Sequence, residues 1–289
     1  MLFFNVINLW VVNDHFDIFC TKRFNYILMA LIIYMPPTLS IIIPAFNEQR
    51  TIQKTLLNYY DFFKNKCSFN IIVVMDGCND LTFDIVKNLS KKYDEIQYIN
   101  HPKKLGKGGG IIKGFKSANA EYIAFTDADG STSPIELYNL IIQTKNTDVV
   151  IGSRWLHDSE ILKKESLARR IASRSFNLMI RLLFNLQLKD TQCGAKVLKQ
   201  YVVKDIIDDL VITNFAFDID LLYQAKRKGY SILEVPIEWK HDDFTELRMA
   251  KVIPSMFLSI MGLRMKYTPF WVFIPEQIPK TIFKKVKTI

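Results

Sequence analysis

A chain of 289 residues, 49% hydrophobic and 23% charged, has room for one large domain or one domain with a small appendage, and its composition excludes wholesale disorder. A formal net charge of +9 draws phosphates of every kind, whether nucleotides, nucleic acids or anionic lipid headgroups, without choosing among them. Cys20, Cys67, Cys78 and Cys193 show no CxxC spacing and no accompanying histidine cluster, which argues against a zinc site or disulfide framework and for a reducing compartment.

Residues 1–35 hold two apolar runs, 1–12 and 24–35, each short of the roughly 20 residues that a spanning helix needs. Lys22 and Arg23 follow the first run, so the pattern is not that of a cleavable signal. Two readings stay open: an interfacial segment, or a translated upstream stretch with the true start at Met35. From Leu39 onward, strand-like and helix-like segments alternate. Residues 39–43 are a β-branched strand closed by Pro44. Residues 48–64 read as a helix, with Ile52, Leu56, Tyr59, Tyr60 and Phe63 on one buried face. Strands follow at 70–75, 96–99, 122–126 and 148–151. The helices between them start at Asp80, a candidate cap, in the glycine-rich stretch 106–110, and at Pro134.

Buried strands separated by helices mean a mostly parallel α/β sheet with helices on both faces, a Rossmann-like architecture. Ligands of such sheets sit at the carboxyl ends of the strands, and polar motifs fall there three times: Asn47-Glu48, Asp76-Gly77 and Asp127-Ala128-Asp129. Beyond Gly152 a helix carries Arg169, Arg170 and Arg174, residues 189–197 read as a loop, 215–227 as a helix and 231–235 as a strand. The boundaries expected are an extension over 1–35, a catalytic domain over 36–250 and an amphipathic, basic, membrane-associating tail over 251–289.

Four motifs carry chemistry. In Phe125-Thr-Asp-Ala-Asp-Gly130, two carboxylates separated by one residue can hold a hard divalent cation, Mg2+ or Mn2+, and leave positions open for phosphate oxygens. A simple turn is the bland alternative. Ile43-Pro-Ala-Phe-Asn-Glu48 could frame a nucleobase and offer a carboxylate to ribose, or could cap a helix. Val73-Val-Met-Asp-Gly-Cys-Asn-Asp80 places Asp76 where a base N–H could be met. Gly106-Lys-Gly-Gly-Gly110 opens a helix with amides and Lys107 suited to an anion. It is not the dinucleotide fingerprint, since Ile111 stands at the third glycine, and no G-K-[ST] follows, which disfavours a dehydrogenase or a kinase.

In this order and spacing the four motifs resemble the family 2 glycosyltransferases of GT-A fold. Gly152-Ser-Arg154, 165–173, Asp190-Thr-Gln-Cys-Gly194, Ala216-Phe-Asp-Ile-Asp-Leu-Leu222 and Glu234-Val-Pro-Ile-Glu-Trp239 narrow the resemblance to the dolichyl-phosphate β-glucosyltransferase branch, with dolichyl-phosphate mannose synthases close to it. The resemblance implies a nucleotide-sugar site at Pro44, Ala45, Phe46, Glu48, Asp76, Lys107, Asp127, Ala128 and Asp129, with the metal on Asp127 and Asp129. It implies phosphate-holding and catalytic roles for Arg154, Arg169, Ser173 and Arg170, and acceptor-side roles for Asp190, Gln192 and Asp218. Met75 and Cys78 depart from the family's D-D-G-S, Ala195 replaces an aromatic, Asp220 a Glu, and 242–248 lack the usual Gly-Ser-Lys, which leaves the acceptor open.

The reaction so implied is an inverting transfer, with UDP-glucose as donor and a dolichyl or polyprenyl phosphate as acceptor, at the cytoplasmic face of a membrane. An anionic acceptor needs little deprotonation, so positioning and charge neutralisation suffice. A soluble sugar or protein hydroxyl as acceptor would need a general base, for which Asp218 is the candidate. A nucleic-acid-binding protein is the third reading. It lacks a binding motif and leaves the strand-end carboxylates unexplained, so no nucleic-acid partner is expected. Residues 252–266, with Phe270, Trp271 and Phe273 and the lysines behind them, suit a headgroup region, with a helix docked on the catalytic sheet as the alternative.

Overall fold

The computed structural model describes residues 38–161, 167–240 and 249–267, with the side chains of 167–172 and 249–251 outside the description. The elements in chain order are β1 (Leu39–Ala45), α1 (Ile52–Phe63), β2 (Phe69–Asp76), α2 (Thr82–Ser90), β3 (Ile96–His101), α3 (Lys107–Ser117), β4 (Tyr122–Phe125), α4 (Pro134–Gln143) and β5 (Val149–Ser153). There follow β6 (Glu160–Ile161), α5 (Leu167–Phe184), β7 (Lys196–Lys199), α6 (Gln200–Ile206), α7 (Phe217–Arg227), β8 (Ile232–Pro236), β9 (Glu238–Trp239) and α8 (Met249–Lys266).

Seven strands form one sheet in the order β3-β2-β1-β4-β7-β5-β8, all parallel except β7, which runs antiparallel to both β4 and β5. The mostly parallel sheet matches the expectation. The antiparallel strand does not, because residues 189–197 were expected to be a loop throughout. The short pair β6 and β9 forms a second sheet.

Alternation along the strands explains the two layers. In β1, Ile41 and Ile43 pack with Ile52, Leu56, Tyr59 and Phe63 of α1 and Leu137 and Leu140 of α4. Ile42 points the other way, to Ile111 and Phe115 of α3, and that layer continues through α5, α6 and α7. The α3 approach is close: a Cβ at Gly114 would lie 2.5 Å from Ile42. Helix starts follow local chemistry, with Ser133 accepting the Glu136 amide ahead of Pro134, and Asp80 accepting the Thr82 amide at 3.0 Å.

Helix α8 docks. Met256, Ile260 and Leu263 are buried in the α7 layer, and Ile253, Phe257 and Leu258 are exposed. Pro254 lies within the helix, beyond its first turn, since α8 begins at Met249. Among the described residues, no helix is long and apolar enough to cross a membrane. Residues 1–35, the acceptor loop 242–248, and Phe270, Trp271, Phe273 and the lysines, on which the sequence sets expectations, lie outside the described residues.

Candidate active site

The parallel strands β1, β2, β4 and β5 end on the same edge of the sheet, and antiparallel β7 begins there, with Lys196 opposite Phe125 and Ile151. The motif residues Phe46–Glu48, Asp76, Asp127–Asp129, Arg154 and 190–195 therefore converge on one edge.

The turn after β4 is held from below. Thr55 Oγ1 donates to the Ala128 carbonyl at 2.9 Å and the Tyr59 hydroxyl to the Thr132 carbonyl at 3.0 Å. Gly130 takes a φ of +72°, which a side chain would strain. Lys107 Nζ lies 2.7 Å from Asp127 Oδ1. Burial opposes ionisation of Asp127, but Lys107, Lys196 and Arg154 outweigh it and hold its carboxyl below the ordinary range. Asp129 goes the other way. Burial, and then the charge of Asp127, raise its pKa against the Ser131 amide, which donates to it at 2.9 Å. Two close carboxylates that repel are a fit setting for a hard divalent cation. Among the described residues no group of three or more His, Cys, Asp and Glu side chains is placed to hold a metal.

The glycine-rich loop is fixed by two carboxylates. Asp76 accepts the Leu105 amide, and its other oxygen takes the Gly106 amide at 2.8 Å. Gly106, at φ +87°, has no room for a side chain, because a Cβ would sit 2.4 Å from the Thr213 carbonyl. That same carbonyl accepts the Gly109 amide at 3.0 Å. Asp220 Oδ2 in turn accepts the amides of Val211 and Ile212 at 2.7 and 2.9 Å, which sets the stretch the loop rests on.

A second charged group stands beyond β5. Arg154 meets Asp190 in a bidentate pair, 2.7 and 3.1 Å, and its guanidinium stacks toward Trp239. Glu234 orients Asp190 by accepting the amides of Lys189 and Asp190 at 2.8 and 2.6 Å. Arg174 of α5 stacks on Trp155, which also neighbours Arg154.

A third pair lies beneath the site. Lys196, fully buried, donates to Asp218 Oδ1 at 2.6 Å and to the Cys193 carbonyl at 2.5 Å. The chain then turns at Gly194, where a Cβ would fall 1.9 Å from Asp127 Oδ2.

Residues 40–207 match the family model described as glycosyl transferase family 2, more than half of the chain and all of the elements just described except α7, α8, β8 and β9. The chain belongs to glycosyltransferase family 2. This glycosyltransferase is 30% identical over 244 residues to a dolichyl-phosphate beta-glucosyltransferase of Dictyostelium discoideum, covering 79% of the chain and 74% of the relative. It is 30% identical over 249 residues to the Saccharomyces cerevisiae enzyme of the same name, covering 79% and 75%. The glycosyltransferase AglD of Haloferax volcanii is 29% identical over 227 residues, but the alignment spans only 36% of AglD. Among solved structures, glucosyl-3-phosphoglycerate synthase of Mycobacterium tuberculosis with Mn2+, UDP and phosphoglyceric acid shares the fold, with a TM-score of 0.57, 13% identity, and 78% and 76% of the two chains covered. The complex of that synthase with Mg2+ and UDP gives a TM-score of 0.55.

Most of the site residues expected in this glycosyltransferase come together on one edge. Phe46 is exposed at the end of β1 with Lys104 Nζ 4.0 Å from its ring centroid, and Pro44 and Ala45 lie inside β1, which extends two residues past the expected end. Glu48 accepts the Thr51 hydroxyl at 2.8 Å in the turn before α1. Asp218 is 2% exposed, its carboxylate turned to Lys196, and Asp190 is committed to Arg154. Gln192 lies in the same turn, its amide donating to Asp190 Oδ1 at 3.2 Å. The backbone of Arg169 and Arg170 is in α5, with their side chains outside the description, and Ser173 lies one turn on. Lys196, Gly194 and the positioning role of Glu234 were missed from sequence. A lysine set among Ala195, Val197 and Leu198 was the available signal.

Proposed function

We propose that this enzyme transfers glucose from UDP-glucose, with inversion, onto a polyprenyl phosphate of the dolichyl type at the cytoplasmic face of a membrane. The names of its 30%-identical relatives support the donor sugar and the lipid, and the UDP complexes that share the fold support the nucleotide. The observation that carries an anionic acceptor is the Lys196–Asp218 pair. The carboxylate that would have served a hydroxyl acceptor as general base is buried and held 2.6 Å from an ammonium. A phosphate oxygen arrives already ionised and needs no such base.

Asp127 and Asp129 are the residues that would hold Mg2+ or Mn2+, and the cation would neutralise the departing diphosphate as a Lewis acid. Lys107 and the amides at the start of α3 face the same anion. Phe46 and Glu48 stand at the end of β1 for the nucleoside, and Asp76 serves it through the loop it fixes. Arg154 is pre-set by Asp190, and Arg169, Arg170 and Ser173 of α5 serve the acceptor phosphate, an anion that arginine pairs with bidentately. Transfer then rests on alignment and charge neutralisation. The exposed Ile253, Phe257 and Leu258 of α8 are the surface offered to the bilayer, and the sequence behind α8 adds aromatics and lysines of the kind that suit headgroups.

The test is a donor-by-acceptor assay on the purified full chain. Labelled sugar should pass from UDP-glucose into an organic-extractable product with polyprenyl phosphate, and chelation should stop it. Labelled product that stays in the aqueous phase with a sugar or peptide acceptor, and none with the lipid, would overturn the acceptor class.

A further inference from the structure

Asp127 is paired on one oxygen and crowded on the other, while its side chain keeps 32% exposure. Its Oδ1 is 2.7 Å from Lys107 Nζ, and its Oδ2 is backed by Gly194, so closely that a Cβ there would lie 1.9 Å away. The Gly194 backbone behind it is held by the Lys196–Cys193 contact and the start of β7. Lys107 is equally constrained at its root. It is the first residue of α3, directly after Gly106, whose amide is held by Asp76. Its stem is another matter: four rotatable bonds let the ammonium swing while the backbone stays.

A divalent cation on Asp127 would compete with Lys107 for the same carboxylate. Both are cations, and Asp127 cannot neutralise the two at contact distance. We infer that Lys107 is an internal counter-ion that competes with the divalent cation for Asp127, and that the donor's diphosphate, by drawing this ammonium toward itself, opens Asp127 to the metal. The inference rests on the reading of Asp127 and Asp129 as the cation site. Its consequence is cooperative loading. The cation alone binds weakly, because removing Lys107 from Asp127 leaves the ammonium without a contact partner inside the protein. With the diphosphate present at the start of α3, the displaced ammonium has a new anion, and the penalty disappears. Linkage makes the effect reciprocal, so the factor by which UDP strengthens metal binding is the factor by which the metal strengthens UDP binding.

The test uses Mn2+ as probe on the full chain, with bound and free ion separated by electron paramagnetic resonance in the absence of nucleotide. Lys107→Met removes the competing charge and should bind Mn2+ about tenfold or more tightly than wild type, the scale on which one close opposite charge acts on a carboxylate. Lys107→Gln repeats the comparison if the methionine variant folds poorly, and Lys107→Arg, which keeps the charge, should show no such gain. Titration calorimetry of UDP with and without Mn2+, corrected for Mn2+–UDP association in solution, should show a smaller coupling factor in Lys107→Met than in wild type. The inference is overturned if both uncharged variants bind Mn2+ no more tightly than wild type while Asp127→Asn abolishes binding. If Asp127→Asn and Asp129→Ala leave Mn2+ binding unchanged, the cation site itself is misplaced and the inference falls with it.

Discussion

Replacing Lys196 with methionine removes one partner of an ion pair that has almost no access to water. Lys196 has 0% and Asp218 2% side-chain exposure, and they meet at 2.6 Å. The methionine fills most of the volume of the lysine stem, so packing against Phe125 is largely kept. What is lost is the counter-charge. A buried carboxylate stripped of its partner costs about 3–5 kcal/mol, a large share of the roughly 5–15 kcal/mol that holds a domain folded. The Cys193 carbonyl also loses its donor, which adds about 1 kcal/mol. In urea, with a slope of about 2–3 kcal/mol/M, the unfolding midpoint should fall by about 1.3–3 M. Removing both charges, as Lys196→Met with Asp218→Leu, should return most of the loss, since apolar replacement of a buried pair is often neutral. The assay is equilibrium unfolding followed by tryptophan fluorescence at constant ionic strength. A midpoint for Lys196→Met within about 0.3 M of wild type, or a double variant no more stable than the single one, refutes the reasoning, because the uncompensated charge would then not be the source of the cost.

Asp129→Ala should leave the thermal midpoint at or above that of wild type, because burial and Asp127 both strain this carboxyl, yet lower transfer at least about 100-fold. Near wild-type turnover would remove Asp129 from the metal site. Arg154→Met should raise the pH of acid unfolding, followed by circular dichroism. Burial works against Asp190, but Arg154 outweighs it and sets the folded pKa below the ordinary 3.8. That stabilisation is therefore present above the unfolded pKa and fades as pH falls through the folded one, whereas the variant buries an unpaired acid that takes up its proton sooner. An unchanged acid midpoint counts against the pair. Asp76→Ala releases the amides of Leu105 and Gly106, and initial rates should show a higher KM for the donor with a smaller change in kcat. A constant KM with a collapsed kcat would place Asp76 elsewhere in the mechanism. Truncation after Tyr267 keeps the hydroxyl that Gln224 donates to at 3.1 Å. It should weaken binding to anionic liposomes in sedimentation while leaving donor hydrolysis nearly unchanged, and undiminished liposome binding would point away from the tail as the anchor.

The parallel half of the fold was legible because its signals are local. Runs such as Ile41-Ile42-Ile43 and Ile71-Ile72-Val73-Val74 are buried on both faces, and turn residues mark where each strand stops. The same logic placed the acidic motifs on one edge before any coordinates. What stayed hidden depends on contacts far apart in sequence. β7 is four residues long and begins with a lysine, so its composition reads as loop, and only pairing with β4 and β5 makes it a strand. Asp218 reads as a free carboxylate until Lys196, 22 residues earlier, is found beneath it. Asp76 reads as a base contact, and its second task is absent from the pattern: its two oxygens accept the amides of Leu105 and Gly106, about thirty residues on. A one-letter pattern records which groups can bond and is silent on which partners arrive first.

The position of β7 also governs the order in which the chain can assemble as it leaves the ribosome. β5 is made before β7 yet cannot join the sheet without it, since β7 lies between β5 and β4. Until residue 199 has emerged, the N-terminal half of the sheet, β3-β2-β1-β4, presents β4 as an open edge with unpaired amides and carbonyls. For the whole span from 126 to 195 that edge is available to any other nascent strand, including the β4 of a neighbouring chain on the same messenger. Slow translation through this window therefore prolongs exposure of the sheet's most adhesive line, and a holdase that covers β4 would act there and become dispensable once β7 docks.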